Sequence, residues 1–198
     1  SAFGEGIDIP DIRHVVLYHM PFFDVEFNQM SGRAGRDGKD AWVHLLYGRA
    51  DVSINEGILA EMTPSREVMA QIYRRMRSLQ AEQPGQMVTL LASELARLAS
   101  DDARIVSPQA ARCGLSVFTE LGLIESTRSF SGGFEVHGFR VREGAPKVEL
   151  TDSVRYQEGL DEMDGFKRFC EWAMMCDMAG LACRMIHPIT PDDEGQGR

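Results

Sequence analysis

An α/β unit followed by an α+β domain and a closing helical segment is the architecture this sequence predicts. Three observations point to it. Two short, β-branched, apolar runs flank a helical stretch within residues 13–47. Helical patterns then fill 65–121 and lead into a period-two alternation that ends near Val141. A long helical pattern begins at Val154.

Residues 13–19 (R-H-V-V-L-Y-H) predict a buried strand that Met20-Pro21 ends. Asp24 is suited to N-cap a short helix running into a stretch of glycine and arginine. Residues 41–47 (A-W-V-H-L-L-Y) predict a second buried strand, closed by Gly48. Strand, helix and strand at this spacing indicate a parallel α/β unit. Residues 49–62 predict a further helix, and Thr63-Pro64-Ser65 marks a domain boundary.

Beyond that boundary Val68, Met69, Ile72, Met76 and Leu79 recur at helical spacing, with Arg66, Arg74, Arg75 and Arg77 around the remaining surface. Pro84-Gly85 breaks this helix. A second, over 90–99, carries Leu91, Leu95 and Leu98. Ser107 caps a third, with Pro108 in its first position, and Leu121-Gly122 stops it. L-I-E-S-T, a turn about Ser131-Gly132-Gly133 and the alternating F-E-V-H-G-F-R-V predict a β-hairpin. Three helices followed by a hairpin is the order of a winged helix, a variant of the helix-turn-helix unit. Residues 154–185 predict helix interrupted at Gly159, Gly165 and Gly180, and the final P-D-D-E-G-Q-G-R predicts disorder. The expected bounds are therefore 1–62 for the α/β part, 63–150 for the winged helix, 151–188 for a C-terminal helical segment and 189–198 for a disordered tail.

The chain has 198 residues and a formal net charge of −9. Residues 1–64 hold five Lys/Arg against ten Asp/Glu, residues 65–141 nine against eight, and residues 142–198 seven against twelve. An acidic total argues against indiscriminate nucleic-acid binding but leaves room for a local site. No apolar run approaches the roughly 20 residues of a membrane span, and the opening S-A-F-G-E-G-I-D has no leader-like character. Cys113, Cys170, Cys176 and Cys183 form no C-x-x-C pair, so buried free thiols in a reducing cytoplasm are expected, with no zinc site. His14, His19, His44, His137 and His187 make no ligand or triad pattern. Phe169, Trp172, Met174 and Met175 suit a core better than a cofactor site.

Residues 27–38 (F-N-Q-M-S-G-R-A-G-R-D-G) stand apart. Arginine offers a fixed fork of donors suited to phosphate oxygens. Three apart on a helix, Arg33 and Arg36 would point to one side, while Gly32 and Gly35 would remove side chains that keep a ligand or neighbouring domain at a distance. An exposed basic turn that pairs with Asp37 or Asp40 is the plainer alternative.

The run A-F-G-E-G-I-D-I-P-D-I over 2–12, followed by the strand and then Q-M-S-G-R-A-G-R-D-G, resembles motifs five and six of superfamily-two helicases, with the RecQ-like branch nearest. The resemblance implies the C-terminal portion of a RecA-like motor domain. It implies that Gln29, Arg33 and Arg36 face ATP and its magnesium on another motor domain, with Arg36 as the arginine finger, worth roughly 10³–10⁵ in rate. Gly32, Gly35 and Asp8 would lie at the nucleotide, and Gly4 and Gly6 at the nucleic-acid backbone. Glu5 departs from the apolar residue usual in RecQ enzymes. The phosphate-cradling G-x-x-x-x-G-K-[ST] loop and a D-E-x-H box do not occur in this sequence, so the chain reads as a C-terminal fragment that cannot hydrolyse ATP alone. The four-cysteine module that RecQ enzymes carry after the motor is missing from 37–112.

S-P-Q-A-A-R-C-G-L-S-V-F-T-E-L-G-L-I-E and V-E-L-T-D-S-V-R-Y-Q-E-G-L-D-E resemble the C-terminal region of long bacterial RecJ-type proteins, which fuse a single-stranded-DNA-specific exonuclease to a helicase-like module. The implied partners are DNA, single-stranded or at a junction, and the first motor and nuclease domains of a longer chain; no membrane is implied. The implied place is the bacterial cytoplasm, at the nucleoid. Arg66, Arg74, Arg75, Arg77 and Arg112, with Gln109 beside the last, are the candidate nucleic-acid contacts, joined by Arg128 and Arg140 of the hairpin. A module whose helicase motifs persist only to dock DNA or protein for a nuclease is the second expectation.

Overall fold

A computed structural model describes residues 9–145 and 147–175, apart from the side chains of Asp24 and Arg49. The chain divides into two compact units, residues 1–56 with 164–198 and residues 57–163. Gly4, Glu5, Gly6, Asp8, Cys176, Gly180, Cys183, His187 and the expected tail lie outside the described residues. No helix among the described residues is long and apolar enough to cross a membrane.

In the first unit, β1 (His14–Leu17) and β2 (Trp42–Leu45) pair in parallel, from His14 opposite Trp42 to Leu17 opposite Leu45. Helix α1 (Asp24–Ser31) connects them. Its N-cap is Phe23, not Asp24, which is its first helical residue, and the Glu26 carboxylate accepts the Phe22 N–H at 2.9 Å beside the helix start. Leu17, Met20 and Phe27 are buried on the inner side, where Phe27 meets Phe169 and Trp172 with ring centres 5.7 and 5.6 Å apart. The strands are buried on one side only: Val16, Tyr18, Trp42 and Leu46 are each more than half exposed, with His14 stacked on Trp42. Met174 and Met175 are exposed, while Phe169 and Cys170 are buried.

Helix α2 (Arg49–Met62) follows the expected bounds, and α3 (Arg66–Glu82) begins the second unit's core. Ser65 caps α3 by accepting the Val68 N–H. Strand β3 (Val88–Leu91) leads directly into α4 (Ala92–Ala99), and α5 (Pro108–Glu120) is capped by Ser107. The hairpin is β4 (Ile124–Ser131) and β5 (Phe134–Val141). The three strands form an antiparallel sheet in the order β3-β5-β4. The sequence pattern places 90–99 in one helix, whereas Leu90 and Leu91 end a strand instead; pairing with His137 and Val136 of β5 supplies backbone partners that no local pattern reveals.

The three helices and the sheet enclose one core. Met69, Ile72 and Met76 of α3 are fully buried, as are Leu95 of α4, Val117 of α5 and Phe139 of β5. Tyr73 packs against Phe118 at 5.1 Å, and the buried Gln71 donates to Ala99 O at 2.6 Å. Gln80 ties the far end of α3 to the sheet: its Oε1 accepts from Val141 N–H at 2.9 Å, and its Nε2 donates to Gln83 O and Gln86 O. The buried Cys113 is a free thiol, pushed up to about 11 by burial.

Helix α6 (Val154–Met175) runs unbroken through Gly159 and Gly165, against the expected interruptions. Gly159 is buried, and a Cβ there would lie 1.9 Å from Thr63 Oγ1. It is a close-packing glycine. The buried Tyr156 donates its hydroxyl to Pro64 O at 2.8 Å.

Glu120 closes the start of α6, accepting from Ser153 Oγ at 2.8 Å and Val154 N–H at 2.6 Å. The Ser153 hydrogen bond holds its carboxyl below the usual range, against some desolvation and with help from the Val154 and Arg155 amides. A depressed folded-state value means stabilisation that is present above the ordinary glutamate value of about 4.3 and lost as pH falls through the folded value. Glu120→Ala is therefore expected to lower the thermal midpoint at neutral pH. The midpoints of variant and wild type should converge in acid, and a gap that stays constant down to about pH 3 would show that the ionised carboxylate does not carry the effect.

Candidate functional site

The glycine-arginine stretch leaves the helix early. Helix α1 ends at Ser31 with Gly32 as its C-cap, so Arg33 and Arg36 sit in consecutive turns and not on a helix face. Within those turns Gly35 adopts φ 61°, a left-handed conformation that favours glycine and keeps the stretch from re-entering a helix. A Cβ on Gly35 would come within 2.7 Å of Lys39 O, and one on Gly32 within 2.8 Å of Asn28 O. The room these glycines leave is filled by the chain's own backbone.

The turn is stitched to the segment that enters β1. Gly35 N–H donates to Ile12 O and Asp37 N–H to Pro10 O, both at 3.0 Å. Arg13, which the sequence pattern did not single out, braces the arrangement. Its guanidinium donates to Asp11 O, Asp40 O and Asp37 Oδ1, the last at 2.5 Å. The Arg13 hydrogen bond is the main reason that the Asp37 carboxyl lies below its usual range. Asp37 is thus engaged from the strand side. Arg33 is half-buried, Arg36 and Gln29 are exposed, and Arg36 Nε lies 3.5 Å from Gly32 O. Arg13's long separation from Asp37 in sequence left no periodic signal to find it by.

The other candidates belong to the second unit. Around α3, Arg66 and Arg77 lie on one side and line a surface hollow with Tyr73 and Lys147. Arg75 is nine residues, about two and a half turns, from Arg66 and faces away; it is half-buried, and its Nε has no hydrogen-bond partner. Arg74 is exposed and donates back to Ala70 O. Arg66 pairs with Glu149 at 3.3 Å.

A hollow of about 270 Å³ runs beside α5, lined by Gln109, Arg112 and Ser116 with Arg155, Glu158 and Glu162 of α6. The outward face of α5 therefore looks onto two carboxylates. Arg112 is also paired with Glu135 at 3.4 Å. The hairpin presents more than sequence reasoning credited to it. Phe130 and Phe134 flank its turn and are 74% and 67% exposed, Arg128 and Arg140 lie along its strands, and Arg142 follows β5 directly. No cluster of three or more metal-ligating side chains occurs among the described residues.

Comparison with known proteins gives this geometry a context. Residues 1–38 match the helicase conserved C-terminal domain. The chain is 40% identical over 74 residues to the probable ATP-dependent DNA helicase RecS of Bacillus subtilis, covering 37% of this chain and 15% of that protein. It is 43% identical over 61 residues to the bifunctional 3'-5' exonuclease/ATP-dependent helicase WRN of Mus musculus, 31% of this chain and 4% of that one. The RecQ-like DNA helicase BLM of Xenopus laevis is 46% identical over 52 residues, 26% and 4%. The chain is thus similar over residues 1–38 to the helicase conserved C-terminal domain, and in part to RecQ-like DNA helicases, and it spans a small part of the length of each of these relatives.

Proposed function

We propose that this chain is part of an ATP-dependent DNA-processing protein of the bacterial cytoplasm, supplying the arginine side of an ATP site and a second module that contacts DNA. The glycine-arginine turn carries the proposal: it is fixed to the entry of β1 by two backbone hydrogen bonds and the Arg13 brace, so its arginines are presented from a pre-organised loop. Gln29, Arg33 and Arg36 would face the nucleotide, with Gly32 and Gly35 shaping the turn and Asp8, Gly4 and Gly6 just upstream. Forked cationic donors suit phosphate oxygens. The bound nucleotide and its magnesium would supply the phosphoryl group and part of the neutralising charge; the chain's own share is to hold two guanidinium groups against it.

The order helix, strand, two helices and hairpin within residues 57–163 supports a winged helix, a DNA-contacting module with proposed bounds of 63–150. With Arg112 occupied and α5 facing Glu158 and Glu162, contact would pass through the hairpin and the Arg66, Arg74 and Arg77 side of α3, with the buried-side Arg75 contributing least. Exposed aromatic rings beside arginines suit single-stranded bases and phosphates. The resemblance of 107–125 and 148–162 to RecJ-type proteins supports a nuclease elsewhere in the longer chain.

The test is a salt titration of binding to a labelled single strand. An affinity in the micromolar range or weaker is expected for a chain of net charge −9, falling steeply with salt, each phosphate contact adding about 0.7 to the slope. Reversing the charges of Arg74 and Arg77 should reduce affinity and slope together. Absence of binding even at low salt would instead favour the accessory reading, in which the module acts through protein contacts.

A further inference from the structure

Three basic groups from three places in the second unit converge on one carboxylate. Glu135, at the start of β5, lies 3.4 Å from Arg112 of α5, 3.2 Å from Arg128 of β4 and 3.6 Å from His137 of β5. Its side chain is 22% exposed, against 47% and 69% for the two arginines. His137 is buried, and its Nε2 has no hydrogen-bond partner. Phe130, directly across the strand pair from Glu135, is exposed.

These separations are informative. A charge-assisted hydrogen bond between guanidinium and carboxylate is about 2.7–2.9 Å long. All three contacts here are longer, so the carboxylate sits among its partners without a close bond to any of them. Pairs of this kind near a surface contribute little net stability, and displacing the carboxylate costs correspondingly little. A phosphate carries more acceptor oxygens on a wider tetrahedron, and it can reach Arg112 and Arg128 together where two carboxylate oxygens serve both at a distance.

We infer that Glu135 is an internal stand-in for a nucleic-acid phosphate: it occupies a two-arginine backbone site and weakens binding until a strand displaces it. This rests on the reading of the module as DNA-contacting, and it adds a specific site and a residue that sets affinity. The strand would run past the hairpin turn, with one phosphate between Arg112 and Arg128 and a neighbouring base against the Phe130 ring. The site is selective in a simple way. An isolated anion gains only the arginines, at the cost of releasing Glu135, whereas a single strand adds stacking and further phosphates.

The experiment compares Glu135→Gln with wild type in the whole chain, using anisotropy of a labelled thymidine oligonucleotide across a salt series. Glu82→Gln, an exposed carboxylate at the end of α3, controls for one unit of net charge. Glu135→Gln should tighten binding at least about threefold and steepen the salt slope by roughly 0.7 to 1.4, the increment of one or two phosphate contacts. Adding Arg112→Ala and Arg128→Ala to that variant should abolish the gain. Misfolding cannot mimic a gain of this kind. Equal gains in the Glu82 and Glu135 variants, or a gain that survives loss of both arginines, would overturn the inference while leaving DNA contact standing. If neither wild type nor Glu135→Gln binds at low salt, both the inference and the DNA-contact reading fall.

Discussion

Arg36→Ala is expected to lower ATP turnover at least about a hundredfold in a protein that joins this chain to an ATP-binding motor domain, given roughly 10³–10⁵ for arginine fingers in general. Little change in thermal midpoint should accompany it, because the Arg36 side chain is exposed and contributes little packing. Arg13→Ala supplies the contrast. Arg13 touches no nucleotide in this reading, but it holds Asp37 and the Asp40 carbonyl, so its loss should reduce turnover and thermal stability together. If Arg36→Ala leaves turnover unchanged, the glycine-arginine turn is not an arginine finger, and the accessory reading gains.

The second large effect concerns two glycines of one helix that should respond in opposite directions. At Gly159 a methyl group would meet Thr63 Oγ1 at 1.9 Å and Thr63 Cβ and Cγ2 at 3.0 Å. Rotating the threonine moves its hydroxyl but not its Cβ, so the helix itself must shift. Overpacking of this sort costs about 1–3 kcal/mol, more than the helix propensity that alanine gains. At Gly165 nothing lies within 4 Å of the added methyl, and Gly165→Ala should stabilise by about 0.5–1 kcal/mol. Denaturant titration of the two variants reads both values. Adding Thr63→Ala to Gly159→Ala should restore part of the loss. Stabilisation by both single substitutions would mean that α6 does not press on Thr63.

Elements defined by their own residues were legible in the sequence. Helix α2, the Ser107 cap and the β4–β5 hairpin follow from local patterns. What escaped was set by distant partners. Strand β3 exists because β5 pairs with it, and without that partner Leu90 and Leu91 continue the helical pattern of Leu95. Gly159 and Gly165 look alike as helix breakers, yet only Gly159 has a neighbour that needs the space. The spacing of Arg33 and Arg36 suits a helix, but α1 ends at Ser31, before both, and the left-handed Gly35 between them keeps the stretch in turns. Arg13 and Glu135 were overlooked because their roles are pairings across 24 residues with Asp37 and across a hairpin with Arg128.

The Gln80 side chain has a consequence for how the second unit opens. Its amide is committed at both ends, holding Val141 across 61 residues of sequence and two carbonyls of the turn beyond α3. The last turn of α3 cannot fray alone, since releasing it also frees the end of the sheet. Exchange of the Val141 amide with solvent deuterium should then follow opening of the whole unit, not local breathing. A bond that joins residues 61 apart is expected to close late in folding, so Gln80→Ala should quicken unfolding far more than it slows refolding, as a chevron plot of the variant would read.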